Sequence, residues 1–212
     1  MLVPTTFVSI VALAQAVYTF ALPSSSLLYR RGSDNVSTVP PSQDPFYQVP
    51  TDVAFFPRGH IFRSRKVPDA STIFGPDAGD VYQLVFRTNS VHMKPDAAVT
   101  TVIAPKVPAK GLPKIVAIAS PEDSPDVDCA TSWALYPHSK SKEAVGGNPF
   151  SVLLAMSALY NGWYVTLPDQ EGSKAGWEAY SEGQVVLDSI RAIVNHRATI
   201  RDSRGYQAAL TG

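Results

Sequence analysis

The 212-residue chain is long enough to bury one sizeable core, and its 45% hydrophobic and 10% aromatic content is that of a globular protein. Its 18 basic side chains balance 18 acidic ones, leaving a formal net charge of zero. That balance excludes a partner held mainly by charge, such as nucleic acid or an anionic membrane.

The first 21 residues carry no charged side chain and include an apolar run from Phe7 to Ala21. The run is short for a membrane span, and Thr19 and Ala21 have the small-residue spacing that a signal peptidase reads. It is therefore expected to be a cleaved secretory signal rather than an anchor, despite an n-region without Lys or Arg. Residues 22–43 are rich in Ser and Pro and read as a pro-segment or flexible leader. Arg30-Arg31 is a candidate processing site there, and Asn35-Val36-Ser37 a glycosylation sequon. The basic cluster Arg58, Arg63, Arg65 and Lys66 is expected to form a solvated strand face, because alternation puts Arg63 and Arg65 on one side.

From residue 44 the chain reads as one domain. Segments 60–68, 81–89 and 97–106 alternate as strands; Tyr82, Leu84 and Phe86 share one face, Gln83 and Arg87 the other. Antiparallel pairing with one wetter face is expected. Segment 114–120 is apolar nearly throughout, as in a strand covered on both faces. A helix is predicted from Pro149 to the stop signal Asn161-Gly162, a buried strand over 163–169, and a helix over 177–196. In the last of these, Val186, Leu187, Ile190, Ile193 and Val194 form one stripe, while Asp188, Arg191 and Asn195 lie off it. A strand over 206–210 follows. Strand, helix, strand, helix, strand implies parallel pairing with right-handed crossovers and helices on both faces of a mixed sheet.

The chain finishes "GYQAALTG". A strand that ends in Gly where a helix should begin is where α/β-hydrolases carry G-x-S-x-G, with Gly212 as its first glycine. Cys129 is the only cysteine. Two readings stay open for it: a buried free thiol, or one half of a disulfide whose partner lies past residue 212. "PEDSPDVD" (121–128) reads as a solvated acidic loop. Calcium ligation by Glu122, Asp123, Asp126 and Asp128 is disfavoured, because no EF-hand spacing or turn glycine accompanies them. Asp169 and Glu171 either line a pocket floor or brace their own loop, with the structural role preferred. Ser173 lacks elbow spacing and is not taken as a nucleophile.

The ordered segments "DPFYQVP", "RSRKVP", "YQLVFRTN", "VTTVIAPK", "PEDSPDVDC", "GWYVTLPDQEG" and "EGQVVLDSIRAI" together resemble the fungal secretory lipase family, from residue 44 to the end. The resemblance implies an α/β-hydrolase fold, represented by the N-terminal half of its sheet, and a secreted triacylglycerol lipase-like serine hydrolase. In that family the strand matching "YQAALTG" runs on into Tyr-Ser-Gly-Gly, and the order of the triad is Ser, acid, His. All three would then lie beyond Gly212, and the 212 residues alone are expected to be inactive. His60, His92, His138 and His196 stand upstream of the elbow, in the wrong order for the base, and are assigned surface or structural roles. The resemblance also makes Asp123 the oxyanion-hole residue and pairs Cys129 with a later cysteine. One such oxyanion donor contributes about 3–4 kcal/mol to the transition state. No cofactor or metal is implied. An ester or lipid substrate is expected, with no stable membrane insertion. An esterase of small natural-product esters and a non-catalytic secreted binding protein are the alternatives.

Overall fold

In a computed structural model, the structure describes residues 39–121, 124, 126–136, 139, 149–174, 179–201 and 205–211. The expected signal peptide, Arg30-Arg31, Asn35, Glu122, Asp123, His138 and Gly212 lie outside the described residues.

Six strands form one sheet: β1 (Ile61–Lys66), β2 (Ala78–Asn89), β3 (Pro95–Pro105), β4 (Lys114–Ile118), β5 (Tyr164–Pro168) and β6 (Gln207–Thr211). Their spatial order is β1-β2-β3-β5-β4-β6. The pairs β1–β2, β2–β3 and β3–β5 are antiparallel, whereas β5–β4 and β4–β6 are parallel. The switch falls where the sequence changes from alternating to continuously apolar. β4 and β5 are buried almost throughout because helices cover both of their faces.

On one face, α1 (Thr131–Ala134) and α2 (Pro149–Tyr160) pack onto Val81, Ile103, Val116, Ile118, Val165 and Leu167. On the other, α3 (Ala179–Asn195) sets Val185, Ala192 and Ile193 against Leu84, Phe86, Val102 and Ile115. α2 ends as its sequence requires. Gly162 takes φ 73°, and the amides of Gly162 and Trp163 return to the carbonyls of Leu159 and Ala158. Its backbone lies so close to the 107–109 loop that a Cβ there would sit 2.5 Å from the Ala109 nitrogen.

Two expectations about the antiparallel ribbon are corrected. The Gln83/Arg87 face is dry: Gln83, Arg87 and Arg65 are 2%, 7% and 5% exposed. Short 3-10 turns at Pro41–Gln43, Pro45–Tyr47 and Val53–Phe55 lie across it and pack Phe46, Tyr47 and Val53 onto Val85, Ala97 and Val99. Within the basic cluster Arg65 is accordingly dry, whereas Lys66 is exposed and pairs with exposed Asp80. The Arg65 guanidinium bonds Asp44 at 2.7 Å and Gln83 at 2.7 Å, and lies over the Phe46 ring. Arg63 donates to the carbonyls of Phe46 and Gln48. Arg87 donates to the carbonyls of Val53 and Thr88 and to the Asn89 side chain.

On α3, Leu187 is exposed while off-stripe Asp188 is fully buried. Asp188 accepts from Arg58, from Arg191 and from the Thr88 hydroxyl, so β2 and the 57–60 turn enclose its charge.

Removing one partner of a buried ion pair strands the other, at a cost of about 3–5 kcal/mol. Arg65→Met should lose stability on that scale in urea denaturation, and Asp44→Asn in the same background should recover part of it. Gly162→Ala should cost more than about 1 kcal/mol in the same measurement, through both the positive φ and the clash.

Candidate active site

The C-terminal ends of β4, β5 and β6 form one edge, and in open α/β sheets such an edge is where ligands bind. The register brings these ends together. Ile118 pairs with Thr211, and the next amide, Ala119, donates to the Thr211 carbonyl at 2.8 Å. The loop that leaves β4 toward 123 and the strand that runs toward 212 therefore start from adjacent positions. Ser120, the next residue of that loop, is fully buried, and its hydroxyl has no hydrogen-bond partner among the described residues.

The described remainder of the loop is braced internally. Asp126 accepts from the Asp128 amide at 3.0 Å, opening the 3-10 turn Val127–Cys129. Asp128 in turn accepts the amide and hydroxyl of Ser42 at 2.7 and 2.8 Å. Both carboxylates thus carry backbone roles. Cys129 is half-buried and free.

Asp169, the first residue past β5, is 5% exposed and accepts both the amide and the hydroxyl of Ser132 at 2.7 Å. Ala130 precedes α1 without a side-chain cap, so Asp169 supplies the missing acceptor from 37 residues away. Ser132 gives its one hydroxyl proton to Asp169, which leaves the Tyr47 hydroxyl to donate to Ser132 at 2.9 Å. Burial pushes the Asp169 carboxyl up to about 7, against the downward pull of its bonds to Ser132. Burial also raises the Tyr47 phenol. The preferred structural role of Asp169 agrees with these contacts, although it also lines a cavity of about 210 Å³ with Tyr47, Val99, Val127 and Ala130. Glu171 is buried and borders a second cavity with Asp96 and His92.

Ser173 donates to the Asp96 carboxylate at 2.8 and 2.9 Å. His60 stacks on Phe56 with ring centroids 4.2 Å apart, and His92 is exposed. His196 is buried against β1 and β2, with Nδ1 against Thr199 and Nε2 against Ser64; desolvation lowers it to about 4. Of these three histidines, only His92 borders a cavity at the edge formed by β4, β5 and β6, the one it shares with Glu171 and Gly172. Ser120, Ser132, Tyr47 and Asp44 carry no motif spacing in the sequence. The Tyr47–Ser132, Ser132–Asp169 and Asp44–Arg65 contacts join residues 85, 37 and 21 positions apart, and a local signal could not have found them.

This mixed sheet, with its parallel core and helices on both faces, has the α/β-hydrolase fold. It aligns with the crystal structure of Candida antarctica lipase A in its closed state, with a TM-score of 0.72 at 34% identity over 82% of this chain and 40% of that one. The secretory lipase profile matches residues 148–206. Lipase A of Arthroderma benhamiae is 32% identical over 88% of this chain and 39% of its own length. A trichothecene C-3 esterase of Fusarium sporotrichioides is 31% identical over 82% and 39%. The chain belongs to the fungal secretory lipase family. It spans about two fifths of the length of the curated relatives it matches.

Asp169 also sets a pH dependence. Its folded pKa lies above the ordinary 3.8, so ionising it is harder in the folded state. Stability should fall as pH rises from about 4 to about 7 and level off above, by on the order of a few kcal/mol. Asp169→Asn keeps an acceptor for Ser132 and should flatten that slope in thermal melts run across the range.

Proposed function

We propose that this protein is a secreted carboxylic ester hydrolase of the triacylglycerol lipase type. In this reading residues 1–21 are the export signal, 22–43 the leader and 44–212 the N-terminal part of the hydrolase domain. The observation that carries it is the meeting of β6 with the residue after β4. It supports a sharp turn at Gly212 facing the loop of Asp123, the arrangement that acyl transfer needs between a nucleophile and an oxyanion donor. The backbone N–H of Asp123 would donate to the tetrahedral oxyanion at any pH. Its carboxyl would have to be protonated to help, because an ionised carboxylate repels the charge it faces. Cys129 would pair with a cysteine further along the chain.

The nucleophile, acid and base of this reading belong to sequence following Gly212. The 212 residues expressed by themselves should be inert toward p-nitrophenyl esters. The full-length protein should turn such esters over and lose activity to a serine-directed phosphonate. Sequencing of the transcript beyond codon 212 should read Tyr-Ser-Gly-Gly; unrelated sequence there, or inhibitor-sensitive turnover by the 212 residues, would overturn the assignment.

The similarity to an esterase named for a trichothecene favours a second substrate class, small natural-product esters. Relative turnover of long-chain and acetyl esters separates the two. Among the described residues no helix is long and apolar enough to cross a membrane. Secretion into the medium is the expected localisation.

A further inference from the structure

A cleft of about 680 Å³ opens beyond the C-terminus of α3, between Ile61, Pro68, Tyr82, His196 and Ala198. α3 starts after the C-terminal end of β5 and runs back along the sheet. Its last turn, and this cleft, lie against β1 and β2, with β3 standing between them and β5. No role in ester chemistry accounts for it.

The chemistry of the cleft is specific. Its floor is a pair of rings, His196 edge-on to Tyr82 at 4.9 Å and 68°. The His196 nitrogens are engaged by Thr199 at 2.6 Å and by Ser64 at 3.3 Å, so ring carbons rather than polar atoms line the floor. Ile61, Pro68 and Ala198 extend the apolar wall outward. At the rim stand Lys66 and Arg197. Lys66 is paired with Asp80 at 2.7 Å, and the Arg65 guanidinium is turned to the other face of the sheet, where Asp44 holds it. Among the described residues, the positive charge at the mouth without an acidic partner is that of exposed Arg197. An apolar slot of this size with a cation at its entrance matches an amphiphile with an aliphatic body and an anionic head.

We propose that this cleft is a binding site for a medium- or long-chain carboxylate, its alkyl chain lying on the Tyr82–His196 pair and its carboxylate at Arg197. The site is separate from the catalytic edge and does not depend on the reaction proposed there.

The test is calorimetric titration of full-length protein with dodecanoate, held below its micelle concentration, together with the ¹³C shift of a carboxyl-labelled chain. Saturable binding is expected, weakened about tenfold by Ala198→Trp, which fills the mouth, and several-fold by Arg197→Glu. Dodecylammonium should bind more weakly than dodecanoate. Turnover of p-nitrophenyl butyrate by both variants should match the parent protein. Arg197 is exposed, so Arg197→Glu keeps the test usable if Ala198→Trp does not fold. Absent saturation, equal binding by both variants, or preference for the ammonium would overturn the proposal; equal binding would also locate the ligand elsewhere, such as the acyl site. If no ester is turned over while dodecanoate binding follows the variants, the hydrolase reading fails and this one stands.

Discussion

The buried contact between Arg65 and Asp44 is the constraint on which much of this half-sheet depends. A guanidinium on a strand can be dry only if acceptors meet its donors, because desolvating an unpaired charge costs several kcal/mol. Here Asp44 and Gln83 supply the acceptors and Phe46 covers the plane. Gln83 passes the connection on by donating to the Ser132 carbonyl, and Ser132 is held by Asp169. One polar chain thus runs from the N-terminal turns, through the antiparallel ribbon and α1, to the residue that leaves β5. The start of α1 and the residue leaving β5 are held together by charge and hydrogen bonds on this face.

A network of this kind is also demanding. Every member is buried, so any one left without its partner costs more than the same contact would contribute at the surface. Asp169 shows the compromise directly. It gives α1 the acceptor that Ala130 cannot, yet burial holds its carboxyl near neutrality, and part of its capping benefit is offset by the difficulty of ionising it.

The order of strands and helices was legible because it is written locally. Alternation in Tyr82–Phe86, the unbroken apolar runs of β4 and β5, and the stop at Asn161-Gly162 each depend on neighbours within a few residues. What covers a face is not local. Arg65 and Gln83 sit at positions that alternation calls wet, and nothing near them announces that residues 41–55 will fold across. Asp188 misled for the same reason: helical periodicity placed it off the apolar stripe, but its partners Arg58 and Thr88 come from 130 and 100 residues away. The candidate site divides likewise. Strand ends could be inferred from pattern, whereas the buried Ser120 hydroxyl and the Tyr47–Ser132–Asp169 chain follow from register and packing, which no short motif encodes.

The location of Asp44 has a consequence for maturation of the chain. The dibasic pair at 30–31 precedes Asp44 in the sequence, so a trimming protease acting there would leave the Arg65–Asp44 pair intact. Removal of only some fifteen residues more would take away the carboxylate and the Phe46 ring together and expose Arg65 as a lone cation in an apolar seam. With native proteins stable by only about 5–15 kcal/mol, that is a severe loss. The fold itself therefore sets the limit of tolerable N-terminal shortening, ahead of residue 44.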